Sequence, residues 1–245
     1  MGRAKEIIVK VIPAKIANEF VKKYHYSGKI VNNSRVHFGA FLDGKLHGVM
    51  SFGNSLDKSK IQNLVKDTGW NEFIELNRMA FDNYLPKNSE SRCISIAIRL
   101  LKKNAPHIKW IISFADGMQC GDGTIYRASG FYLTGFSKGS MWELPEYLRK
   151  INGGGVAHRL KIQNKTSPIS RYILNKTNGK NLTMKGYAEK FGGKVMDGYM
   201  LRYIYFIDKS CKDKLTVPIL PFSKIDELNA GMYKGQRITQ AERHK

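Results

Sequence analysis

Cysteine is scarce in this chain of 245 residues. Cys93, Cys120 and Cys211 stand far apart with no Cys-x-x-Cys pair, which argues against both a disulfide framework and a structural zinc site. Without an oxidising compartment, the Asn-x-Thr triplets at Asn164, Asn175 and Asn181 carry no meaning as glycosylation sites. Long apolar runs are missing as well. No stretch approaches the roughly 20 residues of a spanning helix, and the amino terminus MGRAKEIIVKV lacks the apolar region of a signal peptide. A cytoplasmic protein with no membrane span is expected. Acidic residues are also few, 20 against 41 lysines and arginines, for a net charge of +21. That excess is extreme for an enzyme of small metabolites and points to a polyanionic partner, nucleic acid before an anionic membrane surface. Finally, there is no Gly-x-Ser-x-Gly, no Walker loop, no His-Glu-x-x-His and no zinc-deaminase pattern, so the common nucleophilic, nucleotide-hydrolysing and zinc mechanisms lack their parts.

What is present supports an ordered fold. With 42% hydrophobic and 11% aromatic residues, the chain can bury a sizeable core as one elaborated domain or a domain with a large insertion. Glu6 to Val11 predicts a strand, and Pro13 opens a helix with Ile16, Ala17, Phe20, Val21 and Tyr24 on one face and Gly28 as a C-cap. His25 and Tyr26 follow at its end, where side chains can reach a cleft; alternatively His25 caps its own helix. Asp43-Gly44 between two apolar runs predicts a hairpin.

The stretch Ile74 to Lys103 combines a strand, a polar loop and a helix. Ile74 and Leu76 lie on one parity and Met79 and Phe81 on the other, a conflict that a β-bulge near Asn77 and Arg78 resolves. Asn88, Ser89 and Ser91 are N-cap candidates for a helix buried along Ile94, Ala97, Ile98 and Leu101. Such a helix start is a ready phosphate site, or an ordinary capped terminus. Lys109 to Ala115 predicts a strand buried on both faces, running into the glycine-rich turn Asp116 to Gly123, then a short helix from Thr124 stopped by Gly130, and another strand.

This order resembles the GNAT acetyltransferase fold, and in detail the chain is similar to the Mom family of phage DNA-modification proteins. The matching pieces are KYHYSGK around His25-Tyr26, LNRMAF at Leu76 to Phe81, PKNSES at Pro86 to Ser91, and the block from Ser113 to Gly135. One departure matters: Cys120-Gly121 stands where the family's turn carries a Gly-His pair, so any role of that histidine is lost or moved. The repeated glycines of the GNAT loop are absent too, so coenzyme A binding rests on loop position. The resemblance implies an α/β (α+β) fold with a central mixed sheet whose middle strands splay apart. It also implies acetyl-coenzyme A (acetyl-CoA) as a cofactor, met by Arg78 and Met79 at the bulge and by Asn88, Ser89, Ser91 and Arg92 in the loop and first turn. The activity implied is conversion of adenine in DNA to N6-(methylcarbamoyl)adenine, with iron implicated.

Between Lys150 and Lys194 the composition shifts to ten basic residues and one acid, Glu189. The chain is therefore divided into a GNAT-like catalytic core over 1–137, a basic insertion over 138–197, completing strands over 198–222 and a polar, mobile tail over 223–245. The insertion is either a solvated loop or an arm that grips double-stranded DNA through Arg159, Lys161, Lys165, Arg171 and Lys176, with Tyr172 and Tyr187 suited to stacking. In the cleft, His25, Tyr26, Asp116 and Tyr126 are the catalytic candidates. A phenol, a carboxylate and an imidazole can exchange protons, and His25, Asp116 and Tyr126 can equally hold iron through N and O atoms. Asp116 also suits an Asx-turn that only closes its loop. Two other functions fit the same sequence: an ordinary GNAT N-acetyltransferase acting on a protein or small-molecule amine, and a non-catalytic basic DNA-binding protein. An oligomer is compatible with all three.

Overall fold

The computed structural model describes residues 3–139, 141–239 and 242. Its first elements are β1 (Ile8–Val11), α1 (Ala14–Tyr24), β2 (Ser34–Leu42), β3 (Lys45–Gly53), α2 (Lys58–Gln62), β4 (Phe73–Phe81), α3 (Ser89–Asn104), β5 (Trp110–Asp116), α4 (Thr124–Ala128) and β6 (Tyr132–Lys138). The insertion contributes β7 (Met141–Glu143), α5 (Glu146–Asn152), β8 (Val156–His158), α6 (Arg159–Gln163), α7 (Pro168–Lys176), α8 (Met184–Phe191) and β9 (Lys194–Val195). The chain returns as β10 (Tyr199–Phe206) and continues through α9 (Ser223–Glu227) into a small hairpin, β11 (Met232–Tyr233) and β12 (Gln236–Arg237). Two compact units result: one from the chain up to Phe136 and from Leu201 onward, the other from Ser137–Met200.

The larger unit is built on a seven-stranded mixed sheet in the order β1-β2-β3-β4-β5-β10-β6. The first four strands are antiparallel neighbours, and β5 runs parallel to β4. The fold is thus α/β of the mixed kind. Strand β10, the last long strand in sequence, is not at the sheet's edge but between β5 and β6. Adjacent residues Tyr203 and Ile204 are both fully buried, as required of a strand covered on both faces.

Strand β4 decides the geometry. Ser51 of β3 faces Arg78 and Phe52 faces Leu76, leaving Asn77 as the extra residue of a bulge. Because cross-strand partners share a face, Leu76, Met79 and Phe81 then lie on one side and Glu75, Arg78 and Ala80 on the other. The parallel ladder to β5 ends at the same place, pairing only Phe73–Leu76 with Trp110–Ser113. At that fork Ser113 Oγ donates to the Leu76 carbonyl at 2.9 Å. Beyond it the two strands part.

Helix α1 buries Ala17, Phe20 and Val21 against Val49 and Ala80. Ile16 and Tyr24, expected on that face, are 44% and 39% exposed, so the stripe is narrower than its spacing suggests. The helix ends at Tyr24, with Gly28 at φ 60° closing the following turn through its N–H to the His25 carbonyl. Along α3, Cys93, Ile94, Ala97, Ile98 and Leu101 are buried.

The unit 137–200 has a core of its own. Three short strands in the order β8-β7-β9 carry Trp142 and Leu144 against Leu148, Ile162, Ile169, Ile173 and Tyr187. Trp142 stacks on Tyr187 with centroids 6.0 Å apart and donates through Nε1 to the Gly192 carbonyl. A Cβ on Gly193, at φ 85°, would lie 2.2 Å from the Glu143 carbonyl, which explains the glycine pair there. Tyr187, expected among solvent-facing charges, is fully buried instead. Its ring is core, not a stacking platform.

The stretch after Phe222 also corrects an expectation. It is not a loose polar tail, for Ile225, Ala230 and Met232 are buried; residues 240, 241 and 243–245 of it lie outside the described residues. Its apolar residues are few but spaced so that α9 and the hairpin each supply one or two to the core. In the smaller unit, Trp142→Ala should cost about 3–5 kcal/mol, read by chemical denaturation as an earlier loss of structure in residues 137–200.

Candidate functional site

A cavity of about 320 Å³ opens in the fork. Leu76, Asn77, Arg78 and Met79 form one wall, Phe114 to Asp116 and the glycine-rich turn form another, and His25, Tyr26 and Tyr126 close it. The bulge therefore does two things at once. It ends the ladder that would have filled the space, and it turns Arg78 into that space beside the end of α1. Arg78 Nε donates to the Lys29 carbonyl at 3.0 Å, which fixes the guanidinium at the rim.

Asp116 organises the turn. Its carbonyl accepts from the N–H groups of Gln119, Cys120 and Gly121, and its Oδ1 accepts from Met118 N–H at 3.0 Å and Gln119 N–H at 3.2 Å. Its Oδ2 accepts from Gln119 Nε2 at 2.8 Å and from the Tyr26 hydroxyl at 3.1 Å. With these four donors on its carboxylate oxygens, Asp116 closes its loop as an Asx-turn residue while presenting one oxygen to Tyr26. Burial, with the Asp116 charge second, raises the Tyr26 phenol well above its ordinary range. Tyr126 is buried against Tyr203 and Phe131, and burial pushes its phenol up to about 12. Gly123 precedes α4 at φ 86° because a Cβ there would lie 2.4 Å from the Tyr203 ring.

His25 does not cap its own helix with its side chain. Its backbone N–H donates to the Val21 carbonyl, whereas Nδ1 accepts from the Ser27 N–H at 3.1 Å. The proton of the neutral ring is thereby on Nε2. Burial, reinforced by Arg78, lowers His25 to about 3, so the ring is neutral at physiological pH. Neutral imidazole, two phenols and a satisfied carboxylate form a set suited to handing protons along the cavity wall.

The same facts test the fit of iron. Asp116 already accepts four hydrogen bonds, His25 turns a proton rather than a lone pair outward, and Tyr126 is held as a phenol. Among the described residues no three His, Cys, Asp or Glu side chains converge for a metal. As they stand, His25, Asp116 and Tyr126 do not fit an iron ion.

The helix start expected to hold a pyrophosphate borders a second cavity of about 540 Å³, lined by Lys5, Lys87, Asn88, Ser91, Arg92 and Arg99 among others. Asn88 occupies the N-cap position at φ 65° but makes no capping bond with its side chain. Ser89 and Ser91 donate to the Pro86 and Asn88 carbonyls instead of accepting from helix N–H groups. The expected serine caps are therefore absent, and Arg92 Nε is buried without a partner. Arg92 Nη2 donates to the Lys5 carbonyl at 3.4 Å, and a guanidinium with Nε still to be satisfied beside an uncapped helix start is an anion site by composition. Glu90 lines the first cavity and Ser91 and Arg92 the second. One helical turn serves both.

In the smaller unit Arg159, Lys165, Arg171 and Lys176 are exposed. Lys161 is not offered to solvent in the same way: its Nζ donates to the Asn152 carbonyl at 2.7 Å and to Asn152 Oδ1 at 2.6 Å.

Sequence reasoning missed Glu75 and the residues of the hairpin tip. Met232, Tyr233 and Lys234 line the first cavity, and no motif marks them. Glu75 shares the Arg78 face of β4, and burial pushes its carboxyl up to about 6; an acid between the apolar Ile74 and Leu76 was its signal. The neutral form is favoured in the folded state, so stability is highest below the ordinary value of 4.5 and falls as pH rises through 6. Glu75→Gln should leave stability unchanged near pH 4 and raise it by up to about 2 kcal/mol at pH 7.5 relative to the parent. Urea denaturation at both pH values measures this; an equal difference at both would show that Glu75 folds in its ionised form.

A curated relative, the methylcarbamoylase mom of Escherichia phage Mu, is 37% identical over 142 residues, and the match spans 58% of this chain and 58% of that protein. Among solved structures, a Bacillus subtilis acetyltransferase in complex with CoA matches with a TM-score of 0.43 and 10% identity, over 82% of this chain and 99% of that one. The ribosomal-protein-S18-alanine N-acetyltransferase of Escherichia coli matches with a TM-score of 0.37 and 13% identity, over 54% and 81%. The model of the Mom protein family matches residues 6–224, which is most of the chain, and the chain therefore belongs to the Mom protein family.

Proposed function

We propose that this protein is a DNA-modifying enzyme that converts adenine in double-stranded DNA to N6-(methylcarbamoyl)adenine, with acetyl-CoA giving the carbon atoms and leaving as free CoA, and an ammonia-level nitrogen donor together with a two-electron oxidant supplying the added NH. The observation that carries this reading is the fork at Asn77, where β4 leaves β5 and two cavities meet the first turn of α3. The basic cavity suits a pyrophosphate, and the fork suits a thioester arm reaching toward Arg78, whose bulged backbone offers N–H groups to a carbonyl. Membership of the Mom family and the net charge of +21 support DNA as the substrate. In this reading Tyr26, hydrogen-bonded to Asp116, and neutral His25 move protons at the amine, while Tyr126 shapes the floor. Iron enters only through the family resemblance, and because the three candidate ligands do not fit it, no step passes through it here.

Nucleosides from DNA co-expressed with the protein, separated and weighed by mass spectrometry, test the reading. A methylcarbamoyl group differs from an acetyl group by one NH, so the product distinguishes this activity from ordinary acetyl transfer. An unmodified adenine pool under expression that yields folded protein would overturn it, and acetylated protein or small amine would favour the ordinary N-acetyltransferase. Arg92→Ala should weaken acetyl-CoA binding by at least about tenfold, a loss of ~1.5 kcal/mol or more for a charge-assisted phosphate contact; calorimetry reads it.

Exposed Arg159, Lys165, Arg171 and Lys176 are proposed to grip the phosphate backbone without choosing sequence. Replacing Arg159, Lys165 and Arg171 together with alanine should flatten the slope of log affinity against log salt by about 2.7 units, at ~0.9 per contact. Filter binding across a salt series measures it. Equal slopes would place the DNA footprint elsewhere.

A further inference from the structure

The hairpin of β11 and β12 lies past residue 224, where the family match ends, yet it completes the cavity in the fork. Asp122 N–H donates to the Met232 carbonyl at 2.9 Å, Met232 N–H to Asp122 Oδ2 at 3.3 Å, and Gly235 N–H to the Cys120 carbonyl at 2.9 Å. Backbone groups of the first strand and of the tip thus fasten the hairpin to the glycine-rich turn. Lys234 and Gly235 take φ values of 48° and 80° at the tip, the left-handed pair of a tight two-residue hairpin turn. Met232, 4% exposed, anchors the hairpin in the core. Tyr233 is different. Its ring lines the cavity yet is 48% exposed, and Lys234 Nζ lies 5.6 Å from its centroid. A ring needed only to hold the hairpin would be buried. This one stands at the mouth with a cation beside it, on a chain of net charge +21.

We propose that the hairpin tip receives an adenine turned out of the duplex, with Tyr233 stacked on the base and Lys234 against a neighbouring phosphate. The proposal rests on the reading of the protein as a DNA adenine-modifying enzyme. A target amine inside a stacked duplex cannot reach a cavity in the sheet, so the base has to leave the stack, and an aromatic partner offsets the unstacking. Stacking serves any base; selection falls to groups deeper in the cavity. Asn77 lines it with Nδ2 buried and unpartnered, its Oδ1 accepting from Ser34 Oγ at 2.9 Å, which leaves a donor for a purine ring nitrogen.

The test compares the parent protein with Tyr233→Phe, Tyr233→Ala and Lys234→Gln. Adenine modification is measured on an intact duplex and on a duplex with the adenine opposite an abasic site, and acetyl-CoA affinity is measured alongside. Tyr233→Ala should lose about 5- to 150-fold on the intact duplex, the range of one lost stacking contact. Tyr233→Phe should stay near the parent, acetyl-CoA affinity should not move, and the loss should shrink opposite the abasic site, where the base is unpaired and leaves the stack at lower cost. Lys234→Gln should lower the salt slope by about 0.9. An active parent with an indifferent Tyr233→Ala, or an equal loss on both duplexes, overturns the proposal alone. A parent that modifies neither duplex overturns the functional reading and the proposal with it.

Discussion

One extra residue in β4 holds the rest in place. Asn77 breaks the register against β3 and, at the same step, the ladder to β5 stops. A regular strand would have sent Met79 and Phe81 to the wrong face and would have kept pairing with β5, leaving no space in the sheet. With the bulge, the apolar side chains return to one face, Arg78 turns to the other, and a cavity opens where two central strands separate. Ser113, donating to the Leu76 carbonyl, satisfies the backbone at the fork. This matters because a carbonyl released from a ladder inside a protein needs another partner.

The polar side chains around the opening obey the cost of burying charge. Asp116 collects four donors from its own turn and from Tyr26. His25 and Glu75 are both pushed toward their neutral forms by burial. Arg78 is pushed in the same direction, and its charge disfavours a second cation at His25.

The two units divide the chemistry by composition. In the larger one, charged side chains line the fork and the start of α3. In the smaller one, a tight aromatic and aliphatic core around Trp142 and Tyr187 is enough to hold short helices that carry Arg159, Arg171 and Lys176 outward, with Lys165 exposed on the connection between α6 and α7. Lys161 is the exception, drawn inward by two oxygens of Asn152.

Local rules carried much of this into the sequence. Asp43-Gly44 demanded a tight turn, the parity conflict in β4 demanded a bulge, and the apolar run Trp110 to Ala115 demanded a strand with two buried faces; each follows from backbone sterics or from the two-residue period of a strand. The family motifs around His25-Tyr26 and Asp116 to Tyr126 were legible for the same reason, being continuous stretches. Long-range closure was not. Nothing local says that β10 enters between β5 and β6, that Tyr187 is core although it sits among lysines, or that serines at a helix start will donate to carbonyls instead of capping it. Least legible was the hairpin at Met232 to Arg237, because its place beside Cys120 and Asp122 is set by hydrogen bonds spanning more than a hundred residues of chain. Sequence determined the elements and the bulge; only the tertiary structure decided which distant segments share the cavity, since that depends on which unpaired backbone groups are left for them to satisfy.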